Sequence, residues 1–248
     1  MIISYEDIRV RLGGHDILNG VTLKSREGEM VGIVGANGCG KSTLIKTTFG
    51  MVHNHGGDIK IDGNSVRNIT PRKMASMIGY VGQETSCAFD FSVTDVVSMG
   101  LYARNNKKRR LQIVADALEN LGISQFADRS IQRLSGGEKK MVFIARAVAQ
   151  GADIFILDEP TNHLDIKHQL FVMDYLKGSG KSALVVIHDL RIAAHYCDYI
   201  YMIHDGRVFA EGKPLDVMTR ENIRTVFEIE GYAEQKEDGN IDFTMFEE

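Results

Sequence analysis

No stretch of this chain approaches the run of about eighteen apolar residues that a membrane helix needs. The longest apolar runs, such as Ala183 to Ile187, have the length of a strand. Cysteine is scarce: Cys39, Cys87 and Cys197 stand far apart, with no C-x-x-C pattern. Neither a disulfide framework nor a zinc site follows, and the pattern fits reduced thiols in a reducing compartment. Only three prolines occur (Pro71, Pro160, Pro214), so no Pro-rich linker divides the chain. Basic excess is missing as well: the formal net charge is −4, and nucleic-acid binders usually carry the opposite sign. No nucleic-acid partner is expected. The start Met1-Ile2-Ile3-Ser4-Tyr5-Glu6 lacks the basic and apolar regions of a signal peptide. The sequence therefore predicts a cytoplasmic protein whose membrane contact comes through a partner.

What is present is ordinary globular composition over 248 residues, 44% hydrophobic and 25% charged. Short apolar runs alternate with helical patterns, which predicts a sheet covered by helices. Met30 to Val34 reads as a buried strand running into a glycine-rich turn, then a helix from Ser42 to about Phe49. Ile59-Lys60-Ile61 ends at the turn pair Asp62-Gly63, and Tyr199 to Ile203 ends at Asp205-Gly206; both predict hairpins. Ile154 to Leu157 and Ala183 to Ile187 have the pattern of central strands. Between Phe89 and Ala149 the pattern turns helical, over Val93–Tyr102, Leu111–Leu121 and Gly136–Gln150. The tail from Glu230 is acidic and polar, with one short strand expected at Ile241 to Met245.

Gly35-Ala36-Asn37-Gly38-Cys39-Gly40-Lys41-Ser42 fits the phosphate-loop pattern G-x-x-x-x-G-K-[ST]. Glycines let the backbone wrap phosphates closely, because no Cβ blocks the approach. The wrapped N–H groups and the following helix start both face negative charge. Lys41 supplies a point charge to the β and γ phosphates, and the Ser42 hydroxyl can ligate Mg²⁺. A chance glycine-rich turn would lack the apolar strand before it and the helix after it. Farther on, the strand Ile154 to Leu157 ends in Asp158-Glu159. Alone, that pair reads as a solvated acidic turn before Pro160. With a phosphate loop upstream, Asp158 becomes a candidate Mg²⁺ holder through water, and Glu159 a candidate base toward attacking water.

Leu134-Ser135-Gly136-Gly137-Glu138, standing shortly before the acid pair, reproduces the LSGG signature, and the chain resembles the ABC ATPases from about Ile8 to Phe227. The resemblance implies an α/β fold: a phosphate-loop NTPase core with an antiparallel β subdomain and an inserted helical subdomain. The chain is then one ATPase domain over 1–248. Residues 1–88 and 150–229 form the nucleotide core, 89–149 the signature subdomain and 230–248 a tail. The implied ATP contacts are Leu12, Gly35, Asn37, Gly38, Cys39, Gly40, Lys41, Ser42 and Thr43. Gln83 resembles the Q-loop glutamine that touches Mg²⁺ or water, Asp165 the D-loop aspartate and His188 the switch histidine. Glu159, His188, Gln83 and Lys41 are the implied catalytic group, with Ser42, Gln83 and Asp158 holding Mg²⁺. Each of these has a plainer alternative: an exposed strand-end glutamine, a helix cap at Asp165, a satisfied strand-end histidine. Ser135 and the N–H groups of Gly136 and Gly137 open a helix and so make an anion site, with Glu138 completing the signature. By resemblance that site serves the γ-phosphate of ATP held by a second copy. This implies an ATP-dependent homodimer at the cytoplasmic face of the membrane, coupled to permease subunits and, indirectly, to a substrate-binding protein.

Asn162-His163-Leu164-Asp165-Ile166-Lys167-His168-Gln169 resembles the ATPases of importers for iron–siderophore, haem and cobalamin. Phe91 to Gly100 also resembles manganese and zinc importers, and an iron–sulfur assembly ATPase is the non-transport alternative. Two positions depart from the family pattern. Leu12 stands where relatives place an aromatic residue on adenine, which predicts weaker base selectivity because leucine has no ring to stack. The signature continues Glu138-Lys139-Lys140, where many relatives have glutamine and arginine. The basic run Arg104 to Arg110 reads either as a solvated face or as a contact for anionic lipid headgroups.

Overall fold

A computed structural model describes residues 1–83, 89–103 and 109–246. Cys87 and Arg104 to Lys108 of the basic run lie outside the described residues. Contacts divide the chain into two units, Met1–Asn68 with Gly180–Glu248, and Ile69–Ser179.

In the first unit, β1 (Ile3–Leu12) and β2 (His15–Lys24) pair antiparallel. Ile3, Tyr5, Ile8 and Val10 turn into the core. The next strand, β3 (Met30–Val34), is buried at all five positions, as expected for a strand covered on both faces. It leads through the glycine-rich loop into α1 (Lys41–Thr48). The Tyr5 hydroxyl meets Thr48 Oγ1 at 2.6 Å, which satisfies a buried phenol and ties β1 to the end of α1. Two further strands, β4 (Gly56–Ile61) and β5 (Asn64–Ser65), flank the Asp62-Gly63 turn and complete an antiparallel sheet in the order β2-β1-β4-β5.

The second unit runs α2 (Pro71–Met77), β6 (Ile78–Val81), α3 (Val93–Met99), α4 (Arg110–Asn120), α5 (Gly136–Gln150), β7 (Ile154–Asp158) and α6 (Ile166–Gly178). β6 and β7 pair in parallel, with Val81 opposite Leu157. This unit is wider than the helical stretch 89–149, since it also takes in the two strands and α6. The long helix α5 has a sharp start. Ser135 Oγ accepts from Glu138 N–H, and the Glu138 carboxylate accepts from Ser135 N–H, a capping box. Its apolar stripe, including Met141, Ile144, Ala145 and Ala149, is buried. Helix α3 is shorter than its pattern suggested, giving way to a 3₁₀ turn over Gly100–Ala103.

The chain then returns to the first unit with β8 (Ser182–Val186), α7 (Leu190–Tyr196), β9 (Tyr199–His204) and β10 (Arg207–Gly212). β3 lies between β8 and β9, parallel to both, and β10 closes antiparallel on β9 through Asp205-Gly206. After α8 (Pro214–Val217) and α9 (Arg220–Phe227), the tail forms a hairpin of β11 (Glu230–Gln235) and β12 (Ile241–Phe246). Only the second of these strands was legible in the sequence. β11 alternates Glu230, Tyr232 and Glu234 with the small Gly231 and Ala233, so its pairing supplies what its apolar content does not. Ala233 N–H donates to Met218 O at 2.8 Å, and Phe243 is buried.

Candidate active site

The first unit carries the phosphate loop at the carboxyl end of β3. Gly40 caps α1 with φ of 104°, and a Cβ there would lie 2.6 Å from Leu18 Cδ2, so glycine is required by both conformation and space. At Gly35 a Cβ would lie 2.2 Å from the carbonyl oxygen of Ile203. Lys41 is buried, and its ammonium donates to the carbonyls of Gly35 at 2.8 Å and Ala36 at 2.9 Å, with Cys39 Sγ 3.7 Å away. A lysine folded back on its own loop holds that loop curled, while Asn37 and Gly38 form its exposed tip. The first-turn N–H groups of α1 open toward the loop, as those of any helix start must.

His188 follows β8, the parallel neighbour of β3, and is exposed. It therefore emerges at the same edge of the sheet as the phosphate loop, the edge where parallel sheets bind ligands. Its neighbour Asp189 caps α7, accepting from Arg191 N–H at 2.8 Å. Leu12 ends β1 and is 45% exposed. His15, which the sequence reading passed over, pairs with it across the Gly13-Gly14 turn. Directly opposed residues share a face of the sheet, so the leucine and the imidazole stand side by side.

In the second unit, β7 delivers Asp158 (0% exposed) and Glu159 (6%). Both are interior groups, and the solvated-turn reading is excluded. Glu159 takes a left-handed φ of 52°, a conformation that costs a non-glycine residue about 1 kcal/mol or more and that clusters at functional sites. Its Oε2 accepts from Gln83 Nε2 at 3.1 Å and from Asn162 Nδ2 at 2.9 Å. Gln83 follows β6, the parallel partner of β7, so strand pairing brings the two together. The sequence reading missed Asn162 as a partner of Glu159.

It also missed Lys140. This lysine is 2% exposed, and its Nζ donates to the carbonyls of Gly82 at 3.1 Å, Gln83 at 3.4 Å and Asp158 at 3.4 Å. Burial pushes its pKa down to about 8, opposed by the negative charges of Asp158 and Glu159. A signal existed: Lys140 falls in register with Phe143, Ile144 and Ala147 on the buried stripe of α5.

The signature stands at the start of α5. Ser135 and Gly136 are exposed, and a Cβ on Gly137 would lie 2.9 Å from the carbonyl oxygen of His163. The N–H of Ser135, donated at 2.7 Å, holds the Glu138 carboxyl below its usual range. Asp165 caps α6, accepting from His168 N–H at 2.9 Å, and that bond lowers its pKa likewise. A cavity of about 860 Å³ joins Ser135, Gly136, Gly137, His163 and Asp165, so signature and D-loop share one solvent-facing recess.

A model described as "ABC transporter" matches residues 18–162. The chain is 36% identical over 235 residues to a cobalamin import ATP-binding protein of Halobacterium salinarum, covering 92% of this chain and 59% of that protein. An iron(3+)-hydroxamate import ATP-binding protein of Bacillus subtilis is 33% identical, over 92% of this chain and 88% of its own length. The manganese transport system ATP-binding protein of the same organism is 38% identical, over 91% and 92%. A bacterial ABC transporter cassette solved as a dimer superposes with a TM-score of 0.77 at 26% identity, over 85% of this chain and 98% of that one. The chain is thus alike to these relatives over nearly its whole length, and it belongs to the ABC transporter family.

Proposed function

We propose that this chain is the ATP-hydrolysing subunit of an importer, that it pairs with a second copy on ATP, and that the pair drives a membrane permease at its cytoplasmic face. The observation that carries the hydrolytic part is Glu159, buried and oriented by Gln83 and Asn162. A carboxylate so held is suited to take a proton from attacking water. Gly35, Asn37, Gly38, Cys39, Gly40 and Thr43 wrap the phosphates, and Lys41 turns from its loop carbonyls to the β and γ oxygens. His188 contacts the γ-phosphate. Ser135 with the N–H groups of Gly136 and Gly137 takes the γ-phosphate held by the partner copy, with Glu138 fixing the helix start and Asp165 facing the same junction. Ser42, Gln83 and Asp158 each carry an oxygen of the kind magnesium prefers, and by resemblance they would hold an Mg²⁺ ion, Asp158 through water. When bound, that ion would offset negative charge on the phosphates of ATP.

No helix among the described residues is long and apolar enough to cross a membrane, which suits a peripheral subunit. The cargo reading rests on the relatives: iron chelate, haem or cobalamin first. Manganese is a second reading, favoured by the 38% identity of the manganese transport relative. Purification from detergent tests the importer reading. A polytopic permease should co-purify and identify the cargo class; recovery with soluble partners alone would refute it.

Leu12→Tyr should raise ATP affinity about two- to tenfold and increase the preference for ATP over GTP, the range an aromatic contact supplies. Titration of both nucleotides checks this, and an unchanged pair of affinities refutes it. Alkylation of Cys39 should inhibit by blocking the loop, with ATP slowing the loss. A Cys39→Ala control isolates that thiol from Cys87 and from the buried Cys197, and equal inactivation rates with and without ATP would count against the assignment.

A further inference from the structure

An ammonium with no access to water is costly unless all of its donors are used. Lys140 solves that problem with main-chain carbonyls of Gly82, Gln83 and Asp158, one for each N–H. These acceptors lie on two different segments, the turn after β6 and the carboxyl end of β7. The lysine itself sits in the second turn of α5, the helix that Ser135 opens. One buried cation therefore joins the signature helix, the Gln83 turn and the strand that carries the acid pair. No neutral side chain can offer three donors from one atom.

The consequence reaches Glu159. Its carboxylate is held by the Gln83 side chain, and the Gln83 main chain is held by Lys140. We propose that Lys140 is a positioning residue for ATP hydrolysis, a buried strut that locks the Gln83 turn to the end of β7 and so keeps Glu159 aligned with Gln83. The inference rests on the hydrolytic reading of Glu159 and Gln83, and it adds a route by which movement of the signature helix is felt at the base.

The test uses the full chain with Lys140→Met, Gln83→Ala and the double variant. Lys140→Met is expected to lower kcat about tenfold, equivalent to about 1.4 kcal/mol of barrier, and to move KM for ATP less than about threefold. Because Lys140 acts through Gln83, the double variant should be no slower than the slower single one. Independent effects that multiply would overturn the proposal, as would an unchanged kcat. Hydrogen exchange without nucleotide supplies a readout apart from turnover. Amides of 78–83 and 154–162 should exchange at least about tenfold faster in Lys140→Met, because their shared anchor is lost. Unchanged exchange there would also overturn it. Lys140→Gln keeps an amide donor and should lose less than Lys140→Met; an equal loss would refute the donor argument, and this variant carries the cycle if the apolar one does not fold. Faster exchange together with wild-type turnover in Glu159→Gln would instead remove the base assignment and leave the strut in place.

Discussion

Replacing Glu159 by glutamine is expected to lower ATP turnover about 10²–10⁴-fold, the range for loss of a positioned general base, while ATP binding persists. The substitution is nearly isosteric. Its amide oxygen can still accept from Gln83 Nε2 and Asn162 Nδ2, which now meet Glu159 Oε2 at 3.1 and 2.9 Å. The left-handed backbone at this position (φ 52°) is equally open to either side chain, so the turn should survive. What disappears is the acceptor for a proton from water. If the γ-phosphate is shared between two copies, blocking its removal must also stabilise the pair, because ligand that binds only the paired state shifts the equilibrium by mass action. Size-exclusion chromatography with ATP should then show twice the monomer mass for Glu159→Gln, and single-turnover assays should show intact ATP. Wild-type turnover in this variant would mean that the base lies elsewhere.

Much of this site was legible because its signals are local. A buried strand, a glycine-rich turn and a helix start within the span Met30 to Thr48 must follow one another, and they do. The Asp62-Gly63 and Asp205-Gly206 turns close the expected hairpins for the same reason. The signature helix begins at Gly136, where the sequence places it, and the structure adds the capping box of Ser135 and Glu138 that fixes this start. The illegible parts depend on distant partners. Nothing near Lys140 in the chain indicates the carbonyls of Gly82 and Asp158 that make its burial tolerable. Asn162 looks like a loop residue until Glu159 turns back toward it. β11 has little apolar content and exists because β12 and Met218 offer it hydrogen bonds. The capping role of Asp165 shows the opposite case: the plain reading and the functional one fit the same geometry, since a capping carboxylate retains an exposed side.

Mixing two silent variants should restore hydrolysis. Lys41→Ala removes the ammonium that the phosphate loop folds around, and with it charged hydrogen bonds worth about 1.5–3 kcal/mol, so ATP affinity should fall about ten- to 150-fold. Ser135→Arg leaves the phosphate loop intact, removes a cap worth about 1 kcal/mol, and sets a bulky positive side chain over the exposed start of α5. With ATP held above the wild-type Kd but below that of Lys41→Ala, each variant alone should hydrolyse little. In a head-to-tail pair, the mixed dimer joins the sound phosphate loop of the Ser135→Arg chain to the sound signature of the Lys41→Ala chain. Random pairing makes half of the dimers mixed, each with one complete site, so activity should return to about a quarter of the wild-type level if sites act independently. Thermal melts of the separate variants show whether either has simply unfolded. An arrangement in which each chain completes its own site predicts no recovery at any mixing ratio, because every chain then carries one broken half. The ratio experiment decides between the two, since turnover from a trans-completed site peaks at equal mixing and vanishes at either end.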